Sequence, residues 1–433
     1  KYEYCDLLIT GSGPSGLASA YAAAKNGAKV ILAEDKPRFG GSLLTNEVSI
    51  GNQSGKEWAK KIVGELKEMP NVQVKNRAQV FGYYDHNMLV MSERVTDHLP
   101  KSKKYTPKQR LWYIRAKEVV ISSGSIERPL VFGNNDTPGV LLSSAAKEYM
   151  KIYGVLVGKK PIVFTNNDSA YETAIEFKKN GIDPIIIDSR KDANSELIKE
   201  AKSLNIDIKF SHVVVNARGY KKVKSADIAD ISEDKLQLSN VRNIECDCIC
   251  VSGFWTPTIH LASQSGGKTQ FNKDIDAFIP SNSKQNETTV GAANGVFNLN
   301  ETLNKSFEVG YNLSKKITQK DNKLPVPSVV EKSNSKHDKF WCVPLPKGKK
   351  YKRFLDFQND VAVSDIELAL KEGYRSIEHV KRYTTLGMAT DQGKTSNLNG
   401  LQLVSNVENK VVPEVGHTTF RPPYTPVSIG AIV

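Results

Sequence analysis

An α/β fold built on parallel sheets, followed by a small α-rich C-terminal domain, is what the sequence predicts, on three observations. The first is the order strand (Cys5 to Thr10), glycine-rich turn (Gly11-Ser12-Gly13-Pro14-Ser15-Gly16), Ala-rich helix (Leu17 to Asn26), strand (Lys29 to Ala33) and acid (Glu34-Asp35). The second is another strand–helix–strand pattern between Lys160 and Arg190. The third is a pair of strands ending in small-residue turns, Val119 to Gly124 and Thr289 to Gly295, which are the usual returns to a nucleotide site.

In the first unit Gly11 permits a tight turn, Gly13 leaves room for a pyrophosphate to approach the backbone, and Gly16 lets helix and strand pack closely. Pro14 and Ser15 open the helix, whose free N–H groups and positive dipole end favour an anion. The Glu34 carboxylate is placed to accept hydrogen bonds from ribose hydroxyls, with Asp35 and Lys36 beside it. An acid there disfavours a 2′-phosphate, which predicts NAD rather than NADP. Gly41 and Ser42, in the loop Gly40-Gly41-Ser42, are expected to close over the nucleotide.

A helix from about Trp58 to Met69 and strands at Val72 to Lys75, Gln79 to Tyr83, Leu89 to Met91 and Trp112 to Ala116 complete the first part of the domain, residues 1–130. Residues 131–245 read as an inserted Rossmann-like domain. Its turn, Asn166-Asn167-Asp168, contains no glycine, and Asp168 is expected to repel a pyrophosphate while capping the following helix; no dinucleotide is assigned to it. Residues 246–322 return to the first domain. There Cys246, Cys248 and Cys250 alternate as if on one face of a buried strand. The pair Gly291-Ala292 occupies the position where two-domain flavoprotein reductases carry Gly-Asp, the Asp binding the flavin's ribitol. Losing that acceptor argues against FAD in this fold. No C-x-x-C or C-x-x-x-x-C is present, so the redox dithiol of such reductases is missing too. The fold class is therefore a two-domain, pyridine-nucleotide/flavoprotein-reductase-like Rossmann architecture. Residues 323–352 read as a Pro- and Ser-containing linker, and 353–433 as a small domain with helices at Ser364 to Glu372 and Ser376 to Tyr383.

Composition narrows the function. The 433 residues carry 60 Lys and Arg against 47 Asp and Glu, a net charge of +13. The basic residues are scattered, without aromatic interleaving or a nucleic-acid module, which excludes nucleic acid as the expected partner. One dense cluster, Lys347 to Arg353, offers a surface to an acidic partner. No apolar run approaches the roughly 20 residues of a membrane span. Five cysteines without a paired or metal-type spacing fit a reducing cytoplasm and no metal. The seven histidines form no cluster with a carboxylate, and no catalytic residue is assigned. The chain starts at Lys1 without a methionine, as expected of a piece of a longer polypeptide.

Several segments, taken in order, resemble the alpha subunit of heterotetrameric sarcosine oxidase: Gly11 to Glu34, Ile126 to Phe132, Phe164 to Tyr171, His260 to Gly267 and Val380 to Met388. The resemblance runs over nearly the whole chain and covers the middle of such subunits. It implies a complex with beta, gamma and delta subunits in which the beta subunit carries FAD and a covalent FMN, while alpha binds an NAD that takes no part in the redox cycle. The implied reaction converts sarcosine to glycine, yielding formaldehyde or 5,10-methylenetetrahydrofolate and hydrogen peroxide, with tetrahydrofolate held by a C-terminal domain outside this sequence. The implied NAD contacts are the Gly11–Gly16 turn, Glu34, Asp35, Lys36, Ser42, a backbone contact near Val80, and the turn from Gly291 through Asn294 to Leu299. Gly41 and Gly124 belong to the same site by their position in the pattern.

The C-terminal stretch also resembles a small cluster-binding domain whose four Cys would fall at Asp356, Gln358, Asp391 and Ser396. None is Cys, so its fold is expected without an iron–sulfur cluster. Lys381 and Arg382 either face an acidic or flavin-phosphate surface of a partner or form a solvated helix face. Three other readings stay open: the equivalent subunit of an N-methylglutamate, opine- or proline-type amine dehydrogenase; a self-contained FAD-dependent NADH reductase, opposed by Ala292; and an assembly subunit whose NAD serves stability alone.

Overall fold

The computed structural model describes residues 1–101, 104–332 and 337–432. The first part of domain one runs β1 (Tyr2–Thr10), α1 (Pro14–Lys25), β2 (Val30–Ala33), α2 (Gly55–Glu68), β3 (Val72–Lys75), β4 (Ala78–Tyr84), β5 (Met88–Arg94) and β6 (Gln109–Ile121). The strands lie in the order β3-β2-β1-β6-β5-β4, parallel from β3 to β6 and antiparallel from there on. Strand β2 and the second half of β1 are apolar runs because both faces are covered, one by α1, α2 and the later helix Leu299–Thr318 and the other by side chains of β4 and β5 such as Val80, Tyr83 and Met91. Helix α1 is buried along most of its length, which only its small side chains permit.

The second domain has β7 (Val140–Leu142), α3 (Ser143–Tyr153), β8 (Pro161–Thr165), α4 (Tyr171–Lys179), β9 (Ile185–Asp188), α5 (Glu196–Ser203) and β10 (Asp207–Phe210). An antiparallel meander follows, β11 (His212–Gly219), β12 (Val223–Ile231) and β13 (Leu238–Glu245), before β14 (Cys248–Ser252) closes a five-stranded parallel sheet ordered β7-β14-β8-β9-β10. The chain then re-enters domain one through β15 (Glu287–Thr289), which pairs parallel with the end of β6, and α6 (Leu299–Thr318). Gly310 of α6 lies so close to α1 that a Cβ there would stand 2.3 Å from the Ser19 carbonyl oxygen.

Helices α7 (Val363–Lys371), α8 (Ile377–Thr384) and α9 (Asn397–Glu408) form the C-terminal domain. Their apolar faces share one buried cluster with Phe254, Ile259 and Phe278 of the reductase body.

Four expectations need correction. The segment read as a linker is tied down: Val329–Val330 pairs with Ser49–Ile50, and Val131 exchanges backbone hydrogen bonds with Trp341 and Val343. Its few apolar side chains also serve as anchors, Leu324, Val326 and Val329 against the first domain and the buried Phe340 and Val343 in the core of the second. The three cysteines do not share a face, since Cys246 joins the cluster under the meander while Cys248 and Cys250 join the helix side. The break is at Asp247, whose carboxylate accepts from the Lys159 and Lys160 amides at 2.7 and 2.8 Å instead of continuing the alternation. Asp168 does not cap α4; it pairs with Arg190 at 2.7 Å. Lys381 and Arg382 do not form one face: Lys381 is buried and Arg382 is exposed beside Glu378.

Arg128 joins the two halves. Its buried guanidinium donates to the carbonyls of Gly253, Asp276 and Ile275 at 2.6, 3.2 and 3.4 Å and stacks on Trp341 at 4.1 Å. Burial pulls its pKa down to about 9. Arg128→Met leaves those acceptors unpaired, and is expected to lower stability by about 3 kcal/mol or more, read from the shift of a urea denaturation midpoint.

Candidate functional site

The ends of β1, β2 and β6 and the N-terminus of α1 open onto a cavity of about 620 Å³ between the two domains, within the range of about 300–1,000 Å³ usual for cofactor sites. Gly11, Gly13, Pro14 and Ser15 form its floor. No side chain caps α1 and its first turn holds no acid. A Cβ at Gly16 would stand 1.9 Å from the Gly11 carbonyl oxygen, whereas a Cβ at Gly13 would meet nothing within 4 Å. Gly16 therefore serves packing and Gly13 leaves a cradle open at the helix's positive end. That cradle fits a pyrophosphate.

At one end lie Glu34, Asp35, Lys36 and Val80. The buried Glu34 carboxylate accepts from the Ser12 amide at 2.8 Å, the Ser12 hydroxyl and the Lys36 amide. Burial, with Asp35 beside it, pushes its pKa up to about 7. Lys36 reaches across to Glu148 on α3 at 2.9 Å, so the second domain helps to wall the cavity. Gly41 and Ser42 line it from the 3₁₀ turn Gly41–Leu44, and Gly124 from the end of β6.

The other end is built by Ala292, Val296, Phe297 and Leu299, with Trp255, Lys147 and Glu172 opposite. Gly291 sits behind the wall, where its Cβ would press on Ser15. Asn294 does not line the cavity; the 3₁₀ turn Gly291–Asn294 presents Ala292 instead. Sequence reasoning missed Glu331. Its carboxylate receives the Leu299 amide at 2.8 Å and occupies the N-terminus of α6 together with the cap Asn298. Burial raises its pKa despite those bonds. A lone Glu in an irregular segment gives no sequence signal of such a role.

The second domain lacks a comparable opening at its own turn. Arg190 bridges Asp168 and Asp188 there, all three buried, and Asn166 is bonded to the backbone of Asp338 and Phe340. In the C-terminal domain, Asp356 accepts from the Gly387 amide at 2.7 Å and from Ser396. Among the described residues no group of three or more His, Cys, Asp or Glu is arranged to hold a metal, and no helix is long and apolar enough to cross a membrane.

Residues 5–288 match the family of pyridine nucleotide-disulphide oxidoreductases, and the chain belongs to that family. Residues 350–433 match the sarcosine oxidase A3 domain. Over its full length the chain is 37% identical to sarcosine oxidase subunit alpha of Rhizobium meliloti (strain 1021) and 34% identical to that of Corynebacterium sp. (strain P-1). It spans 42% and 45% of those relatives, which makes it similar to less than half of each. In fold it resembles L-proline dehydrogenase from P. horikoshii, with a TM-score of 0.75 and 20% identity over 100% of this chain and 80% of that one.

Glu34 gives the site a pH signature. A carboxyl whose folded pKa is about 7 and whose unfolded value is about 4.3 stabilises the fold fully below the lower value and loses that contribution as pH rises through the upper one. Glu34→Gln in the nucleotide-free chain is therefore expected to gain stability relative to wild type between pH ~5 and ~8, measured as the difference in denaturation midpoints across that range.

Proposed function

We propose that this chain is the NAD-binding region of the alpha subunit of a sarcosine-oxidising flavoprotein complex. The observation that carries the reading is the cavity's asymmetry: an open, uncapped α1 over Gly13, and at the far end the Ala292 methyl where a flavin-binding fold needs a carboxylate. In this reading the pyrophosphate of NAD lies across Gly11 to Ser15, Glu34 takes the adenosine ribose, and Gly41, Ser42 and Gly124 close the middle. Gly16 and Gly291 act from behind the wall, by packing. The whole-length similarity to sarcosine oxidase alpha subunits supports the assignment of the complex.

The chemistry of the complex, oxidation of a small secondary amine to glycine with peroxide formation, belongs to flavins, FAD and FMN, held by a beta subunit. The residues of this chain bind, orient and enclose a dinucleotide; no proton transfer is assigned to them. Gamma and delta subunits complete the assembly, and the one-carbon unit passes to tetrahydrofolate on a domain outside this sequence. The second domain carries no dinucleotide of its own, a reading supported by the Arg190 ion pairs inside its turn. The five free cysteines support a reducing, cytoplasmic setting.

Denaturing the purified chain and identifying the released nucleotide by mass spectrometry, beside an absorbance spectrum of the native sample, tests the reading. NAD without flavin is expected, and bound FAD overturns it. Gly13→Val has room in the fold and a backbone φ of −65° open to any residue. The variant is expected to keep its melting behaviour in nucleotide-free form while retaining less than a tenth of the NAD, about 1.4 kcal/mol or more of lost binding.

A further inference from the structure

The adenosine end of the cavity is not built by the reductase body alone. Lys394 and Tyr424, both in the C-terminal domain, line it beside Glu34, Asp35 and Val80. The Tyr424 hydroxyl donates to the Val80 carbonyl at 2.9 Å and accepts from the Gln79 amide at 3.1 Å. Its ring lies against His260 of the body, with centroids 5.0 Å apart, and the Lys394 ammonium sits 4.9 Å from the centre of the same ring. Tyr424 is buried and packs in the core cluster of the first sheet, not in the cluster of its own domain. Burial draws the Lys394 pKa down, while Asp391 and Asp35 oppose the shift.

The Tyr424 hydroxyl, its one proton given to the Val80 carbonyl, pins the ring at the strand edge as a flat wall for a purine and keeps an oxygen lone pair to accept from the purine's exocyclic amine. An ammonium lining the same end of the cavity as Glu34 and Asp35 suits the ribose that Glu34 would hold, and it offsets their charge against an approaching pyrophosphate. We propose that Tyr424 and Lys394 form the outer wall of the adenosine subsite, so that dinucleotide binding and docking of the C-terminal domain are thermodynamically coupled. This rests on the NAD reading above. By reciprocity, a nucleotide that gains contacts from the docked domain holds that domain in place to the same extent.

The test uses the full chain freed of nucleotide, with calorimetric titration of NAD, AMP and nicotinamide mononucleotide. Tyr424→Phe and Lys394→Met are each expected to weaken NAD and AMP by about fivefold or more, as the loss of one hydrogen bond or charge contact implies, and to leave the mononucleotide unchanged. Tyr424→Phe removes one oxygen, and Lys394 is only half-buried, so at least one variant is available in folded form; equal melting of the nucleotide-free proteins checks this. In wild type, NAD is expected to slow amide hydrogen exchange in α9, and less so in either variant. Unchanged or tighter AMP binding in the variants overturns the proposal, the tighter case meaning that Tyr424 is a plug and not a wall. Exchange in α9 that ignores NAD overturns the coupling. A wild-type chain that binds neither NAD nor AMP sinks the NAD reading itself, an outcome distinct from wild-type binding that the variants retain.

Discussion

The contact on which the structure depends is the approach of α1 to the turn that precedes it. With a Cβ at Gly16 falling 1.9 Å from the Gly11 carbonyl oxygen, only a glycine lets the helix lie on the sheet edge at that depth. Everything at the site follows from that depth. It sets α1 against β6, where the Ser122 hydroxyl bonds the Thr10 and Gly11 carbonyls at 2.9 Å, and it brings the late turn onto Ser15. The same close packing recurs one layer out, where Gly310 lets α6 ride on Ser19. Backbone-on-backbone layers of this kind leave no freedom for the α1 N-terminus to move, so its free N–H groups point at one fixed place.

Three helix starts in this fold meet three different fates, and the differences define the chemistry available. The α1 start is open. The α6 start is filled by the Asn298 side chain and the Glu331 carboxylate, which leaves its dipole already compensated and gives no incentive for a second anion. The turn ahead of α4 is closed by Arg190 between two aspartates. An anionic ligand is thus favoured at one place only among these three, and the far end of the cavity carries carboxylates rather than cations in excess: Glu331 and Glu172 against Lys147. A ligand with phosphates in the middle and a neutral or cationic ring at that end matches this distribution.

Much of this was legible in the sequence because it rests on backbone geometry. Glycines at spacing Gly11, Gly13, Gly16, an acid at the end of the second strand, and the absence of glycine at Asn166 to Asp168 each have a local cause. Signals that depend on tertiary placement were not legible. Helix α9 begins after a run of Asp, Gly, Lys, Thr and Ser that reads as loop, yet Leu398, Leu401 and Val404 are buried because the body supplies a partner surface. The meander β11 to β13 carries charged residues on its open face, and β13 is mostly exposed, which masks the alternation expected of strands. Glu331 and Tyr424 are single residues in irregular segments, placed by contacts distant in sequence, 32 residues for Glu331 with Leu299 and 344 for Tyr424 with Val80. Asn294 failed for the converse reason, since a turn's motif position does not tell which of its side chains faces the cavity.

On the NAD reading, the C-terminal domain supplies a reason for a dinucleotide without a redox role to be retained. Its helices share a core with Phe254, Ile259 and Phe278, so the boundary between body and domain is apolar and buried. Of the four positions compared with cluster cysteines, Asp356 accepts hydrogen bonds from Gln358 and Ser396, and it also receives the Gly387 amide. Such a network ties two segments together, but its hydrogen bonds are individually worth only about 1–3 kcal/mol net, far less than a bound metal contributes to a small domain. On the NAD reading, a ligand held at a thousand times its dissociation constant adds about 4 kcal/mol to the state that binds it. A cofactor spanning α1, α3 and the C-terminal domain would add that contribution to the contacts that already hold these three elements together, the Lys36–Glu148 pair and the shared apolar core among them.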